Sequence, residues 1–231
     1  MKTHQWQNLT SDGSVRALMY SFGFGTANTL AAKLDDGTWL AISPAVGAPD
    51  AALQVLADDG GVSALIANNA YHHLGQGPWR QRFPQATAYA ADGSLPRLGK
   101  KCTAVTFRPL AELQAKLPAR VRLVEPAGMK TPDLLAAVTA GKETVWFGGD
   151  LISNTSDDDM SLLARLGFKL MGGGTGFRLN PVPGMVYLKD KAAWRQSVHA
   201  AIAAQPPTAF LPAHGGPVTV DAAALTLGLF A

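Results

Sequence analysis

Short apolar runs punctuated by turn residues run through the whole chain. Residues 15–22, 28–34 and 38–42 read as strands, with Gly23 and Gly25 and then the Asp35-Asp36-Gly37 turn between them. The second pair is a hairpin pattern, since Asp-Gly between apolar runs is the commonest short hairpin signal. Residues 49–58 switch to helical spacing, with Ala52, Leu53, Val55 and Leu56 apolar and Gly60-Gly61 as the stop. Residues 64–67 form a short buried-strand pattern that runs directly into the polar Asn68-Asn69-Ala70-Tyr71-His72-His73. A helical turn over 79–83 and a strand over 86–90 follow.

The second half repeats the rhythm. Residues 121–124 are strand-like, and 134–139 with 144–147 flank Gly141-Lys142 as a second hairpin. The acidic run at Asp157 suits a helix start, so a helix is expected over 157–166. Residues 188–204 carry the clearest helix, with Trp194, Val198, Ala201 and Ile202 on one side and Pro206-Pro207 ending it. A strand over 209–211, the turn Pro212-Ala213-His214-Gly215-Gly216 and a helix over about 221–227 complete the chain. Strands followed by helices in both halves predict helices packed outside paired sheets.

Composition narrows the function classes. The 231 residues are 47% hydrophobic and 16% charged, which excludes a disordered chain and suffices for a core without covalent staples. Cys102 is the only cysteine, so neither an intramolecular disulfide nor a cysteine-built zinc cluster is available. The net charge of +3 comes from scattered Lys and Arg with no basic stripe, which argues against nucleic acid as a partner. The weakly polar stretch 15–32 contains Arg16, Asn28 and two glycines, too broken to span a bilayer. The first ten residues have a lysine but no apolar stretch after it, so no secretory leader is expected and the cytoplasm is the default compartment.

Among five histidines, His72, His73 and His214 follow strand-like runs and sit beside turn residues, where α/β architectures place functional loops. Asp150 ends Thr144-Val145-Trp146-Phe147-Gly148-Gly149 in the same way. Three imidazoles and a carboxylate form a nitrogen and oxygen donor set suited to zinc or iron. Each residue has another reading: a histidine bonded to a loop carbonyl, an aspartate capping the turn toward Asn154, a tight turn at His214-Gly215-Gly216. His4 and His199 have no such placement.

Three ordered segments resemble the metallo-β-lactamase superfamily. Residues 65–75, with Asn68, His72 and His73, resemble its strand plus His-x-His-x-Asp-His stretch. Residues 144–151 resemble its strand ending in Gly-Asp, and Phe210-Leu211-Pro212-Ala213-His214-Gly215 resembles its late Pro-x-His-Gly. The resemblance implies one domain over residues 1–231. It would be an α/β, αββα four-layer sandwich: two mixed sheets with helices outside and metal held between the sheet edges. The chain departs from the pattern at Asn68 and Ala70, which replace the first two histidines, and at Met129, where a Gly-His turn is usual; His72 stands in place of the aspartate. One metal position has therefore lost its imidazoles. The other would keep His72, His73, Asp150 and His214. The Ser43-Pro44 step and the Asn-x-x-x-His-His spacing also resemble an uncharacterised bacterial branch of that superfamily.

The implied activity is a single-metal hydrolase, with zinc expected and iron the alternative, acting on an ester, thioester, lactone or amide through a metal-activated water. His73 and His214 are the first ligands expected, then His72 and Asp150, with Asn68 orienting substrate or water. Four ligands would close a tetrahedral site, so Asp150 or His72 is also a candidate for an outer-shell partner. Two other readings stand beside it: a binding or scaffold protein that kept the fold after losing one metal site, and iron-dependent redox chemistry. The substrate would be a small molecule, and no interface signature indicates an oligomeric state. Asp157-Asp158-Asp159 reads as a solvated helix start, the Gly172–Gly176 run as a loop beside the pocket, and Trp79 as core.

Overall fold

The computed structural model describes residues 3–23 and 25–230. Met1 and Lys2, part of the segment read for a leader, lie outside them, as does Phe24 within the 15–32 stretch. Fourteen strands occur among the described residues. The first sheet is built in sequence order from β1 (Trp6–Asn8), β2 (Val15–Ser21), β3 (Thr26–Lys33), β4 (Trp39–Ile42), β5 (Val62–Ala67), β6 (Thr87–Ala90) and β7 (Phe107–Pro109). Its first four strands are antiparallel and the last four run parallel. Helices α1 (Asp50–Asp58), α2 (Gln76–Arg82) and α3 (Leu95–Lys101) make the parallel crossovers, as parallel neighbours require.

After α4 (Leu110–Gln114), the strands β8 (Val121–Val124), β9 (Leu135–Ala140) and β10 (Glu143–Phe147) form an antiparallel meander. The segment that follows carries β11 (Ile152–Thr155), α5 (Leu162–Leu170), β12 (Gly176–Leu179), α6 (Pro181–Tyr187) and α7 (Lys191–Ala204). The chain then returns as β13 (Ala209–Leu211), parallel to β10, and ends with β14 (His214–Gly215) and α8 (Ala222–Gly228). Strands β12, β11 and β14 make a small third sheet.

Alternation along the strands explains the layers. Leu40 and Ile42 of β4 face Val138, Val145 and Phe147 across the middle of the molecule, forming an apolar layer between the two large sheets. Trp39 and Ala41 point the other way, onto Leu53 and Leu56 of α1 and Trp79 of α2. On the far side, Leu135, Ala137 and Trp146 pack on Trp194, Val198 and Ile202 of α7. The order helix, sheet, sheet, helix is the expected four-layer sandwich. Trp79 is core, its indole N–H donating to the Ala45 carbonyl at 3.0 Å. No helix among the described residues is long and apolar enough to cross a membrane.

Several boundaries differ from the sequence expectation: α2 begins at Gln76 rather than 79, β5 at Val62 rather than 64, and two helices start later for reasons visible in their caps. Asp157–Asp159 form only a 3-10 turn, because the Asp159 carboxylate folds back to accept the Ser156 N–H at 2.7 Å. Helix α5 starts later, at Leu162, where the Ser161 hydroxyl accepts from the Ala164 N–H. Helix α7 starts at Lys191 rather than 188 because the Asp190 carboxylate caps the Ala193 N–H.

Candidate metal centre

Three loops at one end of the sandwich bring His72, Asp150 and His214 together, with one possible ligand atom from each lying within 4.8 Å of the others. Each loop is held by a specific contact. The His72 loop leaves β5 and is tied down by Asn69, whose Oδ1 accepts the N–H groups of Tyr71 and His72. Asp150 follows Gly148-Gly149. Gly149 has φ +62°, and a Cβ there would meet Asp133 Oδ2 at 2.6 Å, so glycine is what allows the buried Asp133 to approach. The His214 turn is fastened to β3: Asn28 Nδ2 donates to the carbonyls of Pro212 and Gly215 at 2.8 and 2.6 Å, and the Asn28 N–H donates to Ala213.

The second nitrogen of each imidazole is fixed too. His214 Nδ1 lies 2.8 Å from the Thr26 carbonyl oxygen. A carbonyl only accepts, so Nδ1 carries the hydrogen and Nε2 is left to face inward. His72 Nδ1 is 2.6 Å from Ser43 Oγ, a fully buried hydroxyl on a residue with φ +55°. A non-glycine residue before proline in the left-handed region costs about 1–3 kcal/mol and marks a position the surrounding structure must enforce. Ser43 is enforced from two directions, its N–H donating to Ile66 and its carbonyl accepting from Thr29 Oγ1.

The two inward nitrogens meet one oxygen. Asp150 Oδ1 lies 2.9 Å from His72 Nε2 and 3.3 Å from His214 Nε2, yet it is buried with no directed hydrogen bond. The other oxygen is fully engaged: Asn69 Nδ2 donates to Oδ2 at 2.9 Å and the Tyr187 hydroxyl at 3.0 Å. Behind it sits Asp133, only 1% exposed, which accepts Asn68 and Asn69 amides on Oδ1 and the N–H groups of Asp150 and Leu151 on Oδ2.

The electrostatics follow this asymmetry. Burial, then the charge of Asp150, pushes the Asp133 carboxyl up to about 8 against the lowering effect of its donors. Burial would raise Asp150 as well, but the His72 and His214 rings outweigh it and hold the carboxyl well below the usual range. Burial alone would lower His214, whereas Asp150 and the Thr26 carbonyl raise it above its ordinary value. Tyr187 is kept neutral, its hydroxyl raised by burial and then by the two carboxylates.

No family model and no curated protein sequence matches this chain. Solved structures do. The metallo-β-lactamase FIM-1 from Pseudomonas aeruginosa, in a mono-zinc form, superposes with a TM-score of 0.63 at 15% identity, over 98% of this chain and 94% of that one. A metallo-β-lactamase from Erythrobacter litoralis, with β-mercaptoethanol in its active site, gives 0.60 at 20% identity, over 97% and 95%. One from Pontibacter korlensis gives 0.59 at 13% identity, over 98% of both chains. This chain has the metallo-β-lactamase fold.

Within that fold, the ligand expectation needs one correction and one demotion. His73 stands outside the cluster. Its Nδ1 is 2.9 Å from the Tyr71 carbonyl, and Arg97 and Lys101 lie close enough that, after burial, their charges lower its pKa. Adjacent residues of an extended segment point to opposite sides, and this loop turns His72 inward at the expense of His73. Asn68 is 0% exposed and donates to Asp133, so it supports the loop rather than reaching substrate. Asp133 and Tyr187 were missed in the sequence; Asn69 was read only as a possible pocket-lining residue, and the tethering role of Asn28 was not read. Of the first two, Asp133 alone left a trace, as a lone carboxylate opening the apolar run Leu134-Leu135-Ala136-Ala137-Val138.

The donor set fits a divalent ion. A buried carboxylate oxygen facing two imidazole nitrogens is stabilised by protons on the rings, which in the metal-free protein hold Asp150 low and His214 high, or by a cation in their place. Tetrahedral zinc with bonds of about 2.0–2.1 Å separates its donors by roughly 3.3 Å, close to the observed spacings. With His73 elsewhere, a tetrahedral ion held by these three residues would have one position open.

Proposed function

We propose that this protein is a hydrolase using a single divalent ion, zinc in preference to iron, held by His72 Nε2, Asp150 Oδ1 and His214 Nε2. The observation that carries the reading is Asp150 Oδ1 set 2.9 and 3.3 Å from two inward imidazole nitrogens, with one ligand atom of each residue within 4.8 Å of the others. One ion rather than two is favoured because Oδ2, the oxygen a second ion would need, already accepts from Asn69 and Tyr187.

A divalent ion at this place supplies Lewis acidity, lowering the pKa of a water toward neutrality and polarising a carbonyl. The chain's own residues do the rest. Ser43 and the Thr26 carbonyl fix the ring orientations, so that both Nε2 atoms are presented together. Asn69 and Tyr187 hold the carboxylate in one rotamer. Beside the donors, His72 and His214 line a cleft of about 250 Å³ with Tyr20, Tyr71 and Leu74, where a small ester, thioester, lactone or amide has room to lie.

The test is metal content with activity. Protein purified without chelator should carry close to one equivalent of zinc or iron, lose ester hydrolysis on chelation and regain it when zinc is restored. Below about a tenth of an equivalent, with no uptake of added zinc, the reading fails and the scaffold alternative replaces it.

A further inference from the structure

A second, larger cavity opens on the other side of His214. It holds about 400 Å³, within the size range of small-molecule sites. Its roof is one face of α5 and the residues flanking it: Met160, Ala164, Phe168 and Met171 recur at helical spacing and all line it. Val182 and Pro183 at the start of α6 close the far wall, and Ser153 and Thr155 of β11 form the floor beside His214. Ser153 pairs with His214 in the strand register.

Two features make this more than a packing defect. The walls are almost entirely apolar, yet the hydroxyls of Ser153 and Thr155, 1% and 8% exposed, have no hydrogen-bond partner among the described residues. Leaving a buried hydroxyl unpaired costs about 1–3 kcal/mol. The cavity therefore has an apolar body and polar points near the proposed metal donors, the shape of a site for a molecule with an oxygen function at one end and a hydrocarbon chain behind it.

Building on the hydrolase reading, we propose that this cavity is the acyl-chain pocket and that the substrates are esters or thioesters of apolar, medium-length carboxylic acids. The acyl carbonyl lies at the His72–Asp150–His214 cluster, Ser153 donates to the substrate oxygen, and the chain runs beneath α5. Water adds to the acyl carbon, the acyl–oxygen or acyl–sulfur bond breaks, and the proton completes the released alcohol or thiol. Each methylene that enters the pocket should strengthen binding about three- to fourfold.

The experiment has a binding arm and a kinetic arm, both on the full chain loaded with zinc. In the first, straight-chain carboxylates from acetate to decanoate compete with the fluorescent apolar dye anilinonaphthalene sulfonate. In the second, the matching p-nitrophenyl esters are hydrolysed. The pocket is supported if affinity and kcat/KM both climb with chain length, and if Ala164→Phe and Val182→Phe, which fill it from opposite walls, each cut the decanoyl-to-acetyl ratio at least about tenfold. Ser153→Ala should lower kcat/KM by a similar factor at every chain length. Two filling variants guard against one failing to fold. Hydrolysis with no chain-length preference, or a preference that both filling variants leave intact, overturns the pocket while sparing the hydrolase. Chain-dependent binding without hydrolysis upholds the pocket and overturns the hydrolase.

Discussion

The two oxygens of Asp150 belong to contrasting halves of the site. Around Oδ2, protein groups answer one another: Asn69 and Tyr187 donate to it, and Asp133 gathers four donors behind it. Around Oδ1, two imidazole nitrogens approach to 2.9 and 3.3 Å without a directed hydrogen bond. The first half contains Asn68, which stands where the resembling family has a histidine, and only its Oδ1 lacks a partner. The second contains the histidines that remain. Where Asn68 stands in place of that histidine, the polar groups stabilise one another through hydrogen bonds. Where the imidazoles and the carboxylate remain, the donor set fits a cation.

The largest effect should come from damaging the open half. Asp150→Ala or His214→Ala should weaken zinc binding by at least about a hundredfold, more than the loss of an outer-shell partner, measured by competition with a chromophoric chelator. Wild-type affinity in His214→Ala would erase the contrast between the halves.

Next is the closed half. Asn69→Leu leaves two buried carboxylates without their shared donor and should destabilise the fold by about 2–4 kcal/mol in urea unfolding. Zinc stoichiometry should stay near one. If the variant instead gains a second equivalent, Asn69 was excluding an ion rather than replacing one.

A smaller effect separates the halves by pH in the metal-free protein. Asp133 holds its proton to about pH 8 in the fold, whereas an unfolded aspartate releases it near about 4. His214 is likewise raised. The folded state thus binds more protons than the unfolded chain between these values, and stability should fall from about pH 4 to 8, with His214 adding to the fall above about pH 6.5. Asp150, held low, adds stability above about pH 4 that disappears as pH drops through its depressed value. Zinc competes with protons for its ligands. Its stabilising shift in melting temperature should therefore grow over the interval in which the metal-free protein weakens. A metal-free melting temperature that rises over that interval would contradict these assignments. The smallest effect belongs to His73→Ala, which lies outside the cluster and should keep zinc affinity within about twofold of wild type.

The sequence carried the architecture well because period-two and period-3.6 patterns report burial directly. The β3–β4 and β9–β10 hairpins and helices α1, α7 and α8 were all legible from Asp36-Gly37, Gly141 and the spacing of apolar residues. The short strands β11, β12 and β14 were not, since they exist only through long-range pairing such as Ser153 with His214. In the site, types and order were legible and direction was not. The sequence ranked His73 before His72, whereas Asn69 beside it and Ser43 and Asp150, distant in the chain, turn the His72 ring inward. Tyr187 left no trace at all, because its hydroxyl reaches Asp150 through the packing of α6 rather than through any local motif.

The most direct test of the central claim is anomalous scattering at the zinc edge from crystals grown with zinc. The account predicts a single peak about 2.0–2.2 Å from His72 Nε2, His214 Nε2 and Asp150 Oδ1. Two peaks, a peak between Asn68 and Asp133, or no peak at all would contradict it.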